Sequence, residues 1–121
     1  MNPGREVVIT GVGVVSPIGV GQEAFWRSLV EGRSGVRRLT SFEPTADLPP
    51  FGGEIADFDA KQYVRPRKSL KVMCRDIQLA VAAADLAWTD AHLPAQPPHP
   101  DRLGVVLGAE MIQCEPEELA P

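Results

Sequence analysis

Residues 7–19 read VVITGVGVVSPIG, and this stretch decides how the rest of the chain is interpreted. The β-branched run at 7–10 has charge before it and glycine after it, a pattern that predicts a buried strand. Gly11 and Gly13 allow the backbone to bend, or another segment to approach it closely. Pro17 then interrupts the apolar run, because proline pushes its predecessor away from helical backbone.

A Gly-x-Gly after a strand also opens dinucleotide-binding turns. Such a turn needs a third glycine three residues after the second, and a helix that starts within the turn to meet the pyrophosphate. Here Ser16 occupies the third position, and the next helix is predicted to begin only near Gly21. We therefore favour glycines that permit tight packing, and keep a nucleotide-binding domain as a third hypothesis.

Composition restricts the class of protein. The 121 residues suit one small domain or part of a larger one, and the net charge of -4 argues against a general nucleic-acid surface. The N-terminal apolar run is too short to cross a membrane and does not resemble a signal sequence. We expect a soluble, cytoplasmic protein with no membrane association and two free thiols.

The remaining pattern alternates helices with strands. A long helix over 69–90 is apolar on most of its faces, which is typical of a buried helix in a layered fold. The order predicts an α/β protein whose strands are covered on both sides. The predicted elements are a helix at 21–31 with Gly32 as its C-cap, a loop at 34–42, a short strand at 51–55, one helical turn at 58–63, the long helix, and a buried strand at 103–107. Because two strong strands do not close a sheet, we expect the chain to be the N-terminal part of something larger.

No complete catalytic site is visible in the sequence. Cys74, Cys114, His92 and His99 form no recognisable Cys–His arrangement, and no CxxC spacing suggests a metal site. We therefore predict no catalytic residue, no cofactor and no metal ligand within these 121 residues.

A basic cluster stands out instead. It comprises five residues within eleven positions of an acidic chain, namely Arg65, Arg67, Lys68, Lys71 and Arg75. Cations at a helix N-terminus oppose the helix dipole. Two explanations stay open: a solvated helix end, or a docking surface for an acidic partner, to which complementary charge would speed association.

Three motifs in order now resemble one family. VVITGVGVVSPIG with the Trp-containing helix and EGRSGV, then RKSLKVMCRDIQLAVAAADLAWTDAHL, then DRLGVVLGAEM, are similar to the N-terminus of a β-ketoacyl-acyl-carrier-protein synthase of the elongating type. The similarity covers residues 7–111, and 112–121 form a tail. The resemblance implies that residues 1–121 are the N-terminal part of that family's N-terminal domain.

The resemblance implies a fold and a reaction. The fold would be the incomplete N-terminal portion of a thiolase-like α-β-α-β-α sandwich, which forms a homodimer. The reaction would be an acyl transfer, in which an acyl thioester condenses with malonyl-acyl carrier protein in fatty-acid or polyketide biosynthesis. In that family the catalytic cysteine and two histidines lie downstream, so these residues alone would be inactive.

The resemblance also implies peripheral roles. Lys68 and Lys71, with the neighbouring Arg67, would contact the acidic acyl carrier protein, although Val72 occupies the third basic position of that surface. Met111 would gate the acyl pocket near the dimer interface, with ordinary core packing as its alternative. Ala109, Glu110 and Ile112 stand where the family usually has small residues and several glycines. Cys74 and Asp76 also replace a usual acid and a usual aromatic residue, and these departures indicate a divergent branch. A non-catalytic chain-length-factor-like or carrier-docking module is the alternative function.

Overall fold

The computed structural model describes residue 4 and residues 6–41, 50–97 and 99–109. Within these ranges two α-helices accompany two small antiparallel sheets and three short 3₁₀ helices. In chain order they are β1 (Val15–Ser16), β2 (Gly19–Val20), α1 (Gln22–Val30), β3 (Val36–Arg38), β4 (Phe51–Gly53), the 3₁₀ helices Ala60–Gln62 and Arg67–Val72, α2 (Arg75–Asp90) and the 3₁₀ helix Pro100–Arg102. The mixture of helix and strand fits the predicted α/β class.

The Ser-Pro break in the opening stretch is the turn of a hairpin. β1 pairs with β2 in an antiparallel register that sets Val15 opposite Val20, and the Ser16 hydroxyl donates to the Gly19 carbonyl at 3.0 Å. Gly21 follows with φ 84°, a left-handed conformation that glycine adopts without strain, and leads directly into α1. The chain therefore reverses before the helix, and a hairpin separates the glycines at 11 and 13 from the helix start along the sequence.

The second hairpin corrects the predicted loop at 34–42. β3 and β4 pair in an antiparallel register with Arg37 opposite Gly52, so part of the predicted loop is a strand, and the strand predicted at 51–55 is shorter than expected. Glu54 continues this pairing through its side chain. Its carboxylate accepts hydrogen bonds from the Ser41 amide at 2.6 Å and the Thr40 hydroxyl at 2.8 Å. The hydrogen bonds from Ser41 and Thr40 lower the pKa of the Glu54 carboxyl group.

Both α-helices end in the same hydrogen-bonded motif. At the end of α1 the amide of Gly32 bonds to the Leu29 carbonyl and that of Arg33 to the Ser28 carbonyl, with Gly32 at φ 64°. At the end of α2 the amides of the two residues after Ala91 bond in the same way, and His92 takes the left-handed position with φ 54°. This is the Schellman arrangement, which satisfies the last carbonyl groups of a helix. The C-cap residue of α1 is Glu31, and Gly32, predicted as the C-cap, takes the left-handed position directly after it.

The predicted continuous helix over 69–90 is wrong in its first turn and a half. Residues Arg67–Val72 form a 3₁₀ helix, and Met73 and Cys74 are extended with ψ of 120° and 169°. The α-helix begins only at Arg75. One side chain stabilises this break in the helix, because the Gln78 side-chain amide donates to the Met73 carbonyl at 2.9 Å. The apolar periodicity that predicted the helix is therefore a property of residues 75–90 alone.

The two predicted buried strands are also wrong for this chain. Residues 7–10 and 103–107 have no strand assignment, and Val7 is 90% and Val106 96% exposed. A strand needs a neighbouring strand to satisfy its amides and carbonyls, and within the described ranges neither run has one. The β-branched composition identified segments suited to a covered sheet, but it could not supply their partners.

The glycines of the opening stretch rest on α2. A Cβ placed on Gly11 would lie 2.6 Å from the amide nitrogen of Ala91 and overlap the Ala87 carbonyl oxygen. A Cβ on Gly13 would lie 2.7 Å from the Ala87 nitrogen and overlap the Ala83 carbonyl oxygen. Real Cβ atoms do not approach so closely, so the extended backbone fits against an alanine ridge only because both residues are glycine. Tight packing, the favoured explanation of Gly-x-Gly, is what the structure shows.

Candidate functional site

Three members of the basic cluster lie open on one short element. Arg67, Lys68 and Lys71 belong to the 3₁₀ helix Arg67–Val72, and all three side chains are exposed. Among the described residues their charged groups make no recorded hydrogen bond or ion pair. We call these three residues the cationic trio.

The 3₁₀ geometry aligns two of these charges. A 3₁₀ helix has three residues per turn, so side chains three apart lie one above the other. Lys68 and Lys71 therefore form an outward row, while Ser69 and Leu70 are half-buried on the inner side. The helix predicted over 69–90 left Lys68 outside the element that carries Lys71, whereas the 3₁₀ helix contains both residues. The correction to the secondary structure thus concentrates positive charge along one line.

An exposed apolar side chain adjoins this row. Val72 is the last residue of the 3₁₀ helix and is 83% exposed. It follows Lys71 directly in the sequence. The surface that the trio presents is therefore cationic with one apolar edge.

The other two basic residues serve the fold. Arg75 donates from Nη2 to the Ile55 carbonyl at 2.6 Å, and its guanidinium lies 4.7 Å from the centre of the Phe58 ring. Arg65 donates from Nη1 to the Lys61 carbonyl at 3.0 Å. The sequence grouped five cations together, whereas the structure divides them into three exposed and two engaged.

A second feature joins the opening stretch to both helices. The Val12 amide donates to Asp90 Oδ2 at 2.9 Å, and Gln22 donates its side-chain amide to the Val12 carbonyl at 2.7 Å. These residues line a groove of about 580 Å³ between the start of α1 and the end of α2. The Val12 amide, the Gln22 amide and the positive charge of His92 lower the pKa of Asp90. Since the polar groups here bond to one another, the groove is a structural junction.

The structure brings together no catalytic constellation in the part of the chain that it describes. Cys74 is a free thiol at the start of α2, and the His92 ring nitrogen Nδ1 lies 2.8 Å from the Asp90 carbonyl oxygen. No group of three His, Cys, Asp or Glu side chains in the described ranges could hold a metal ion. Cys114 and Met111 lie outside the described residues, so the acyl-pocket role of Met111 stays a prediction.

Membrane spanning was searched for in the same residues. Among the helices of the described ranges, none has both the length and the apolar character that crossing a bilayer requires.

Sequence reasoning missed the aromatic pair that Arg75 contacts. Phe58 and Tyr63 stack with ring centres 5.7 Å apart and planes within 5°, and Arg75 covers Phe58. No local sequence pattern predicts the contact between Phe58 and Arg75, which are seventeen positions apart. The contact of Gly11 and Gly13 with α2 does have a sequence pattern. Alanine recurs at steps of four along the side of the helix that faces Gly-x-Gly, at Ala83, Ala87 and Ala91.

Comparison with known proteins agrees with this architecture. Residues 4–120 match the model of the beta-ketoacyl synthase N-terminal domain. A 3-oxoacyl-[acyl-carrier-protein] synthase 2 from Synechocystis is 39% identical over 104 residues, which cover 86% of this chain and 25% of that protein. The tetracenomycin polyketide synthase ketoacyl synthase beta subunit of Streptomyces glaucescens is 35% identical over 90% of this chain and 26% of its own length.

A solved structure supports the same relationship. The ishigamide ketosynthase/chain length factor superposes with a TM-score of 0.64 at 38% identity, over 72% of this chain and 21% of the solved one. The chain spans about a quarter of the length of the curated relatives described above. The family model nevertheless covers nearly all of its residues, and the three motifs occur in the expected order. The chain therefore belongs to the β-ketoacyl synthase N-terminal domain family.

Proposed function

We propose that the protein is a β-ketoacyl-acyl-carrier-protein synthase, an acyltransferase that condenses an acyl thioester with malonyl-acyl carrier protein in fatty-acid or polyketide biosynthesis. Family membership supports the reaction class. Residues 1–121 contribute the opening part of the N-terminal domain, with core similarity over 7–111. The catalytic cysteine and histidines lie outside these residues, whose own contribution is to scaffold and partner recognition.

The cationic trio receives the acyl carrier protein. The observation that carries this assignment is the outward row of Lys68 and Lys71 on a 3₁₀ helix, beside exposed Arg67, in a chain of net charge -4. A local concentration of positive charge on an acidic protein attracts an acidic partner and orients it, and it repels other basic surfaces.

The condensation is tested on the full-length protein with acyl and malonyl carrier-protein substrates. We expect a β-ketoacyl product with release of carbon dioxide. The 121-residue polypeptide alone should form none. Condensation by that polypeptide would contradict the assignment of these residues to scaffold and recognition.

The docking surface is tested by charge reversal. Lys68→Glu combined with Lys71→Glu in the full-length protein should weaken carrier-protein binding by about tenfold or more at low salt, because two attractive charges become repulsive. Binding is measured by fluorescence anisotropy of labelled holo acyl carrier protein.

The matched control reverses two other charges. Arg38 and Arg102 are exposed on other elements, so Arg38→Glu with Arg102→Glu changes the net charge equally without touching the trio. Carrier affinity should fall far less in this control. Unchanged affinity of the Lys68 and Lys71 variant at low salt would show that the carrier binds elsewhere.

The finer architecture follows from the same proposal. A thiolase-like α-β-α-β-α sandwich would cover residues 7–10 and 103–107 with neighbouring strands, which explains why they are apolar. The full-length protein is proposed to be a cytoplasmic homodimer whose Met111 lies at the acyl pocket near the dimer interface. Velocity sedimentation of the purified full-length protein tests the dimer.

A second function has one observation in its favour. The solved relative is a ketosynthase/chain length factor, and another relative is a ketoacyl synthase beta subunit. A chain-length-factor-like protein would dock a carrier without condensing. The condensation assay separates the two functions, because such a protein binds the carrier but forms no product.

A further inference from the structure

Arg75 stands where a cation is electrostatically unfavourable. It is the first residue of α2, and the N-terminus of a helix carries partial positive charge. Its side chain turns back instead, donating to the Ile55 carbonyl at 2.6 Å and covering the Phe58 ring at 4.7 Å. These contacts offset the unfavourable position and tie the start of α2 to residues 55–58.

The contacts of Arg75 continue toward the element that carries the cationic trio. Phe58 stacks on Tyr63, the residue that caps the 3₁₀ helix Ala60–Gln62. Two buried apolar side chains lie in this segment: Ala60 within the helix is 7% exposed, and Val64 just after it is 1% exposed. The elements Ala60–Gln62 and Arg67–Val72 pack against each other, and α2 packs against the first of them. The element that carries the trio therefore packs against the 3₁₀ helix next to this aromatic pair.

We propose that Arg75 is a positioning residue for carrier docking, which acts by clamping Phe58 and the 55–58 segment so that the 3₁₀ helix presents Lys68 and Lys71 in one row. The inference rests on the proposed docking function. It assigns to Arg75 no contact with the carrier, although Arg75 belongs to the same basic cluster as the trio.

The clamp needs the guanidinium group rather than its charge alone. A planar guanidinium stacks on an aromatic face and donates from its edge at the same time. A lysine ammonium keeps the charge but cannot reproduce both contacts. Arg75→Lys therefore separates a positioning role from a docking role.

The first experiment measures carrier affinity across a salt series in the full-length protein. Arg75→Lys should lower the affinity for holo acyl carrier protein about two- to fivefold, the range expected for loss of an exposed cation–π contact. The dependence on salt should stay that of the wild type. Lys71→Gln, the comparison variant, should lower the affinity and also flatten the salt dependence, because it removes a docking charge.

The second experiment measures the effect of the Arg75 contacts on residues 66–73 in the absence of the carrier protein. Hydrogen exchange followed by mass spectrometry should show faster exchange in residues 66–73 of Arg75→Lys and Phe58→Leu. The amides concerned include that of Ser69, bonded to the Pro66 carbonyl at 3.0 Å. Lys71→Gln should leave this exchange unchanged.

The outcomes distinguish the two proposals. If Arg75→Lys binds the carrier as the wild type does, or leaves exchange in residues 66–73 unchanged, the positioning role is wrong. If Arg75→Lys accelerates exchange while the Lys68 and Lys71 reversal leaves carrier binding intact, the clamp exists but the docking function is wrong.

Discussion

At the scale of single residues, Gly13 leaves the least room for an added Cβ among the described glycines. Its α-hydrogen faces the backbone of α2, where the Ala83 carbonyl oxygen and the Ala87 nitrogen occupy the space that a side chain would need. Backbone atoms of a regular helix cannot move aside as a flexible side chain can. An added methyl group must therefore displace the opening segment from the helix.

We predict that Gly13→Ala lowers the free energy of unfolding by about 1–3 kcal/mol, the usual cost of overpacking. The measurement is urea unfolding of the full-length protein. Gly4→Ala is the matched control, since nothing lies within 4 Å of its added Cβ and its φ is not positive. Equal stability of the two variants would contradict the contact with α2.

At the scale of elements, the junction at Asp90 predicts a dependence on acid. Its pKa lies below the ordinary value of 3.8 because of the Val12 amide, the Gln22 amide and His92. The folded protein thus binds this proton less readily than the unfolded chain. The stabilisation is present above about pH 4 and is lost as pH falls through the lowered pKa.

Asp90→Asn should accordingly reduce the free energy of unfolding at pH 7, and the difference from the wild type should shrink as the pH falls below about 4. Urea titrations at a series of pH values measure it. Asp85→Asn is the matched control, because it makes the same charge change on α2 and leaves the bond between Val12 and Asp90 in place. A constant difference for Asp90→Asn would mean that the carboxylate charge does not contribute.

Elements differ in how far the sequence predicts them. α1, the body of α2 and the Gly32 cap follow from local periodicity and from glycine, which act within a few residues. The β3–β4 pairing and the Arg75 clamp join residues that are distant in sequence, and no local pattern encodes such a partner. The cationic trio was predicted from composition, whereas its alignment depends on a 3₁₀ helix that periodicity misassigned as α.

At the scale of the whole molecule, the described chain leaves much apolar surface open. Its buried apolar side chains are few, namely Ala60, Val64 and Ala82. The runs at 7–9 and 105–107 are largely exposed, and contiguous apolar surface of this kind marks an interface. Both runs have the composition of covered strands.

The 121-residue polypeptide should therefore bind the dye ANS strongly, with emission well above that of a compact protein of its size. Val7→Ser with Val106→Ser should reduce the emission, because these side chains are 90% and 96% exposed. Val64→Ser should raise it instead, since Val64 is 1% exposed and its loss opens the core. Absence of dye binding by the unmodified polypeptide would contradict this prediction.

The contact between the glycines and α2 can extend over only a short length of chain. Two residues of an extended segment advance about 6.7 Å and four residues of a helix about 6.0 Å, so the two repeats drift apart by about 0.7 Å at each step. Gly11 and Gly13 match successive alanine steps of the antiparallel-running helix within this tolerance. A third step at Val15 would be out of phase by about 1.4 Å, and Val15 pairs with Val20 of β2. The glycine pair thus fixes the register of the extended segment against α2, and the chain turns directly after it.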